Sequence, residues 1–329
     1  MTNHPGTSRP HTARWSLTKR GGVTLVALVS CAAVALPAGS AQAGPLPQPR
    51  SHTTVSTKTV AVATPAAVAP GGSATVATAA SAATAASTAT SWYNTVRWNK
   101  LYKSGGPVGV STCHEPRNQL NQLTPIKAYH AYFVACLSKA WIVNFRKAGI
   151  AFHSPTLVYY SGTVATGCGN VTAQAYFCSA NGGRIFIPWT VYVGWWKQNP
   201  LWARTFIAQT IAHEYGHHVQ FLAGILQASW NRQLYLFKTS ADKLQENRRR
   251  ELQATCMGGA YLGADRTYFP MTGTFLTQWR WTVSHMGDQA GYPRDHGNWT
   301  NNSYWATRGF NNHTSASCIT WTAPNSQVA

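Results

Sequence analysis

Residues 209 to 219 read TIAHEYGHHVQ, and no other stretch limits the fold as strongly. Apolar Phe206, Ile207, Ile211, Phe221, Leu222 and Ile225 recur at intervals of three and four, with Pro200 at the front. That spacing predicts an amphipathic helix of roughly 25 residues over 201–227. His213 and His217 then project from one face of the helix, slightly more than a turn apart. Glu214 sits one step round, within reach of a coordinated water but outside the metal's own shell.

Two neutral imidazoles, a third protein ligand and an open fourth position are what zinc hydrolysis requires. The metal brings the water's pKa to about 7, and a neighbouring carboxylate takes its proton. The H-E-x-x-H pattern alone is only suggestive. Two histidines satisfied inside an ordinary core compete with it until a third ligand is found. Gly216 adds context, because a mid-helix glycine costs about 1 kcal/mol and points to close approach by another backbone or a ligand.

The metzincin continuation is absent, since Gln220 and Ala223 stand where it needs glycine and histidine. The next helix, over 241–263, begins ADKLQENRRRELQATC, with Ser240 as its expected cap and Glu251 in its middle. A glutamate on a solvated helix face would pair with Arg248 or Arg250. Here its helical neighbours Leu252 and Thr255 are apolar or small, so an unpartnered carboxylate would be costly and a metal would remove the cost.

From these motifs the chain resembles the neutral zinc metallopeptidases, a family of zincin-like bacterial proteins. The resemblance rests on HEYGHHVQ (213–220), on Glu251, Leu252, Gln253, Ala254 and Cys256, on His296 with Gly297, and on Gly309 with Phe310. The segment GCGNVTAQAYFCSANGGRIFIP, with its two cysteines, also matches, so the likeness covers roughly residues 165 to 312. It implies His213, His217 and Glu251 as zinc ligands and Glu214 as general base. Two positions depart from the family pattern: Thr255 and Pro188 each stand where it has aspartate. A carboxylate one turn after the ligand would orient a ligating histidine, and threonine is a weaker, neutral acceptor. Asp265, Asp288 or Asp295 could substitute for it; otherwise metal affinity or activity falls about 10 to 100 fold.

His296 is the candidate for a further catalytic role, donating a hydrogen bond to the oxyanion as water attacks. The alternative is a loop histidine bonded to Asp295 or backbone. Tyr292 and Tyr304 are lesser candidates, His218 reads as structural, and His285 and His313 have no motif behind them. Short apolar runs at 156–162 and 184–189 predict strands, the second being the expected sheet edge where an extended substrate could pair. With a further helix over 126–148, the expected class is α+β, zincin-like, with the active-site helix beside a small sheet.

The rest of the chain frames this domain. Arg9, Arg14, Lys19 and Arg20 precede an apolar run from Val23 to Leu36 and a small-residue site ending at Ala43. This predicts a signal peptide over 1–43 and a secreted protein, the run being shorter than the ~20 residues of a spanning helix. No transmembrane segment is expected. Leu28 to Cys31 resembles a lipoprotein box, which keeps open a lipid anchor at Cys31. Residues 44–91, rich in Ala, Thr, Ser and Pro, are expected to be a disordered linker. Residues 92–329 hold all 14 tyrosines, all 8 acidic residues and all but one of the 14 tryptophans, enough for one core.

Six cysteines remain beyond the leader, an even number that fits up to three disulfides in an oxidising compartment; Cys168 with Cys178 is the favoured local pair. The formal net charge is +19, which favours anionic cell-surface polymers as possible partners. Its basic residues are scattered apart from Arg248 to Arg250, so no specific nucleic-acid module is expected. The sequence thus points to an exported zinc endopeptidase acting on protein or peptide. The alternative is a zincin-fold surface protein, catalytically impaired at Thr255, that binds polyanions or glycans.

Overall fold

A computed structural model describes residues 73–289 and 294–329. The expected signal peptide, Cys31 and Tyr292 lie outside the described residues. The architecture is α+β, as expected. Its helices are α1 (Ser73–Arg97), α2 (Lys100–Ser104), α3 (Leu123–Ala148), α4 (Trp189–Gln198), α5 (Pro200–Leu222), α6 (Ile225–Asn231), α7 (Ser240–Ala264), α8 (Gly273–Ser284) and α9 (Trp299–Asn312). The strands are β1 (Thr156–Tyr160), β2 (Thr163–Ala165), β3 (Asn170–Thr172), β4 (Tyr176–Cys178) and β5 (Arg184–Pro188).

Helix α5 starts where its sequence says it should. Pro200 is its first residue, and the Asn199 side chain accepts from the Trp202 amide at 3.1 Å. It ends sooner than expected, at Leu222, because Gly224 takes a left-handed backbone (φ 73°) and the chain restarts as α6. Nor is it amphipathic in use: every residue from Ile207 to Gln220 is buried. Neighbouring helices and β4 cover all its sides, so polar residues such as Gln209 and Gln220 are inside and hydrogen-bonded.

Helix α7 is likewise buried from Arg250 to Gly263 and packs between α5 and α9. Its cap is Thr239 rather than Ser240, the Thr239 hydroxyl accepting from the Asp242 amide at 3.1 Å. The α7–α9 contact depends on Gly309, whose added Cβ would run into the Cys256 carbonyl. The Cys256–Cys318 disulfide ties the same part of α7 to the C-terminal segment. Cys113–Cys136 and the favoured Cys168–Cys178 complete the pairing.

The sheet corrects one expectation. Its order is β1-β5-β4, with β5 parallel to β1 and antiparallel to β4. The expected strand at 184–189 is therefore the central one, over Arg184–Pro188, and not the edge. Ile185, Phe186 and Ile187 are all buried, the continuous apolar pattern of a strand covered on both faces. The edge nearer α5 is β4, a three-residue strand too short to show a period.

The expected linker also needs correction in its last part. Residues 73–91 are helical, whereas 44–72 lie outside the described residues. Alanine's helix preference prevails over the interleaved Thr, Ser and Val. The C-terminal end of α1 is also anchored: Val96 is fully buried and Trp92 stacks on Tyr235 at 5.8 Å. No helix among the described residues is long and apolar enough to cross a membrane.

Candidate metal centre

The centre is built where α5 crosses α7. A Cβ on Gly216 would lie 2.6 Å from the Ala254 carbonyl oxygen, and one on Gly258 would lie 2.9 Å from the Ala212 carbonyl carbon. Two glycines, one on each helix, thus permit backbone contact. The close approach that Gly216 predicts is to another backbone and not to a ligand. This contact carries Glu251 up to the two histidines of α5.

Glu251 Oε2 lies 2.9 Å from His217 Nε2, 3.4 Å from His213 Nε2 and 3.7 Å from His296 Nε2. One ligand atom from each of His213, His217 and Glu251 falls within 4.8 Å of the others. His217 and Glu251 are fully buried and His213 is 6% exposed, so Glu251 is no solvated partner of a surface arginine. Arg250 is also buried and sits 3.7 Å from Glu251 Oε1, with its guanidinium over the Trp230 ring.

The outer nitrogens of the paired histidines are both engaged. His217 Nδ1 lies 2.9 Å from Gln220 Oε1, and Gln220 Nε2 donates to the Arg250 carbonyl at 2.8 Å. An amide so oriented accepts from the ring, which puts a proton on Nδ1 and turns Nε2 to Glu251 at 2.9 Å, where it gives the carboxylate a proton or a metal its lone pair. His213 Nδ1 lies 2.9 Å from Thr255 Oγ1. Threonine therefore occupies the orienting position where the family resemblance has aspartate. None of the proposed substitutes reaches that ring: Asp265 binds the Thr112 amide at 3.0 Å and the Tyr261 hydroxyl at 3.2 Å, and Asp288 and Asp295 both serve His296.

Electrostatics separates the four residues. Burial lowers the His213 pKa to about 4. Burial would lower His217 too, but the Glu251 carboxylate outweighs it and the net shift is upward. Burial alone would raise Glu251; the surrounding histidines, His217 first, hold it well below the usual carboxylate range. Glu214 behaves differently, because burial pushes its pKa up to about 7 with His217 only partly opposing. The buried Glu214 carboxylate has no side-chain hydrogen-bond partner and only a backbone contact from Phe177, His213 Nε2 has only the Glu251 carboxylate at 3.4 Å, and Glu251 Oε1 only Arg250 Nε at 3.7 Å. Buried polar atoms so poorly satisfied are expensive, and here they gather around one point. Two imidazole nitrogens with their lone pairs turned inward and one carboxylate are a donor set that fits zinc.

His296 reaches this point from the loop before α9. Its Nδ1 lies 2.6 Å from Asp295 Oδ1, while Asp288 accepts from the His296 and Gly297 amides at 2.9 and 2.7 Å. Burial would lower its pKa, but Asp288 and Asp295 raise it well above the usual histidine value. The loop-histidine and catalytic readings are thus compatible, since the ring bonds Asp295 on one side and faces Glu251 on the other. Tyr304 is not part of this group; it is 39% exposed and its hydroxyl lies 3.5 Å from Arg308. His218 donates to the His153 carbonyl at 2.7 Å, His285 stacks on Trp281 at 4.2 Å, and His313 ends α9.

Sequence reasoning missed Gln220 as an orienting group, although its place one turn after His217 is a usable signal. It also missed Asn302, for which no motif exists, and gave Asp288 another role, that of substitute for the carboxylate at position 255. Tyr176, on the sheet edge, has its phenol pKa raised mainly by burial and further by Glu214 and Glu251.

The family profile described as "Putative neutral zinc metallopeptidase" matches residues 68–268, more than half of the chain, and the chain belongs to that family. It is 34% identical over 137 residues to "Uncharacterized protein YpfJ" of Escherichia coli strain K12, covering 40% of this chain and 46% of the relative. The protein of the same description from Escherichia coli O6:H1 strain CFT073 matches with the same identity and coverage. The chain therefore spans about half the length of the curated relatives it matches. No solved structure matches it.

Proposed function

We propose that this chain is an exported zinc-dependent endopeptidase that hydrolyses peptide bonds. The observation that carries the reading is the convergence of His213 Nε2, His217 Nε2 and a Glu251 oxygen within 4.8 Å, with the fully buried Glu214 carboxylate on the same helix. His213, His217 and Glu251 would hold the ion. Bound zinc would supply Lewis acidity and acidify a water at neutral pH.

The chain's own residues have distinct roles in this reading. Glu214, with a pKa near 7, is matched to proton transfer at neutral pH: a carboxylate oxygen takes the proton of the attacking water and returns it to the departing amine nitrogen. His296, held by Asp295 through Nδ1, presents Nε2 as a hydrogen-bond donor to the carbonyl oxygen as it gains charge. The outer edge of β4 offers an extended substrate its backbone groups beside α5. Export is supported by the leader-like residues 1–43 and by three disulfides.

The rival reading, a catalytically impaired binding protein, drew its force from Thr255. Thr255 still reaches the ring it is expected to orient, which supports the enzyme reading, and turnover is the readout that separates the two. The deciding experiment compares the parent with Glu214→Gln on an unstructured protein, with zinc measured in both. The expected result is one zinc per chain in each protein and a rate lower by about 10² to 10⁴ fold in the variant. A zinc-loaded parent that cleaves nothing beyond what the variant cleaves would refute the enzyme reading.

A further inference from the structure

His213 and His217 are both oriented by neutral groups, and the His213 arrangement extends to a different helix. Thr255 Oγ1 lies 3.3 Å from Asn302 Oδ1, and Asn302 Nδ2 donates to the Val283 carbonyl at 2.8 Å. Thr255 and Asn302 are 4% and 5% exposed, so water does not compete for these bonds. Asn302 belongs to α9, whose first turn is fixed by the Asn298 side chain accepting from the Asn301 amide at 2.9 Å.

The direction of every bond in this chain of groups follows from its far end. A main-chain carbonyl can only accept, so Val283 fixes which end of the Asn302 amide faces it; the flipped amide would set two carbonyl oxygens 2.8 Å apart. Asn302 therefore shows Oδ1 to Thr255. The threonine hydroxyl has one proton, which goes to that oxygen, and toward His213 it can only accept. His213 then carries its proton on Nδ1, held there by the Thr255–Asn302 pair against the pull of the Glu251 oxygen 3.4 Å from Nε2, and Nε2 is left to a metal.

We propose that Asn302 is a positioning residue that sets the tautomer of His213 through Thr255, so that a neutral hydroxyl–amide pair does the orienting work the family pattern gives to a carboxylate. The proposal rests on the zinc reading above for its consequence, metal affinity, but not for its structural content. Threonine and Asn302 also form a matched pair. An aspartate at 255 would face the Asn302 oxygen, and relieving that repulsion by flipping the amide would forfeit the Val283 bond. Thr255→Asp alone is therefore expected to gain no zinc affinity.

The test uses the full chain, metal-free and zinc-loaded. Long-range proton–nitrogen correlation of ¹⁵N-histidine protein reports the His213 tautomer without zinc, and a chromophoric chelator competing for zinc gives the dissociation constant. In the metal-free parent, His213 is expected as the Nδ1–H form. Thr255→Val and Asn302→Leu, each near the original volume, should mix the two tautomers and weaken zinc binding about 10 to 100 fold. Thr255→Ser, which keeps the hydroxyl, should restore both readouts. Asn302→Ser serves as the second substitution at that position, and near-ultraviolet circular dichroism selects the folded variants. A folded Asn302 variant with unchanged His213 tautomer and unchanged zinc affinity overturns the proposal. So does a parent in which the His213 proton sits on Nε2. Both outcomes are separable from failure of the enzyme reading, in which the tautomer result stands while hydrolysis is absent.

Discussion

The seam between α5 and α7 and the loop that leads into α9 deliver residues to the same point in different ways. The seam is two buried helices in backbone contact at Gly216 and Gly258, and it presents His213, His217 and Glu251 on rigid elements. The loop has no regular structure across His296; it is held by Asp288 accepting two successive backbone amides and by Asp295 against the ring. The comparison teaches a division of labour. In the proposed reading, the groups that would share one ion are placed by helix period and close packing, while the group that would meet the substrate oxygen is placed by side-chain hydrogen bonds at a more accessible rim. His296 keeps 13% of its side chain exposed, against 1% for Glu251.

The largest effect should come from the seam. Glu251→Ala removes the carboxylate between the paired rings and is expected to reduce bound zinc from one per chain to near zero, with activity lost alongside. Metal analysis after dialysis checks this. A variant that keeps its full zinc would break the distinction between the two regions. The loop should behave otherwise: His296→Gln is expected to keep its zinc and to lose rate by roughly 10² fold through kcat, as for removal of one oxyanion donor. Steady-state kinetics with parallel zinc measurement separates the cases, and loss of metal in His296→Gln would move His296 into the seam's class.

A smaller effect concerns pH-dependent stability, where the loop's His296 and a core histidine carry opposite signs. In the core, His130 on α3, stacked on Tyr192 of α4, is fully buried with its pKa lowered to about 4, chiefly by desolvation. A histidine that titrates near 6.5 when unfolded takes up its proton more readily in the unfolded chain. The stability this withholds from the unfolded state is therefore present above about pH 6.5 and is lost as pH falls toward 4, on the order of 3 kcal/mol in all. His296 is shifted upward, so in the metal-free protein its contribution is complete below its unfolded pKa and is lost as pH rises through the folded one. Urea unfolding of metal-free protein should show a shallower acid limb in His130→Gln, and in His296→Gln a smaller loss of stability as pH rises above about 6.5. The reverse assignment would contradict the electrostatic account of both sites.

How much of this could be read beforehand follows the same division. The pair His213 and His217 was legible because a four-residue spacing in a helix has one geometric meaning. Glu251 was legible because a carboxylate among small and apolar neighbours lacks a cheap solvated position. Gly216 announced a close approach and left open what would approach; that it is Ala254 depends on which helix packs there. Groups that arrive from other elements had no such signal. Asn302 and Asp288 act through polar contacts to residues distant in sequence, and an asparagine or aspartate in a loop or first turn has many ordinary uses. The sheet edge was misplaced for a related reason: the long apolar run RIFIP is conspicuous because it is buried on both faces, while the true edge is only Tyr176 to Cys178. The helical start at Ser73 was missed because local composition speaks of weak propensity and not of the anchoring that Trp92 and Val96 provide.

Anomalous diffraction at the zinc absorption edge, on crystals of the full chain grown with zinc, tests the central claim most directly. Besides His213, His217 and Glu251, the described residues bring together Asp288, Asp295 and His296 closely enough to hold an ion, so the two regions can be compared in one experiment. The account requires a full-occupancy peak about 2.0 to 2.2 Å from the Nε2 atoms of His213 and His217 and from a Glu251 oxygen. A peak seated on the aspartates of the loop, or no peak at the α5–α7 crossing, would contradict it.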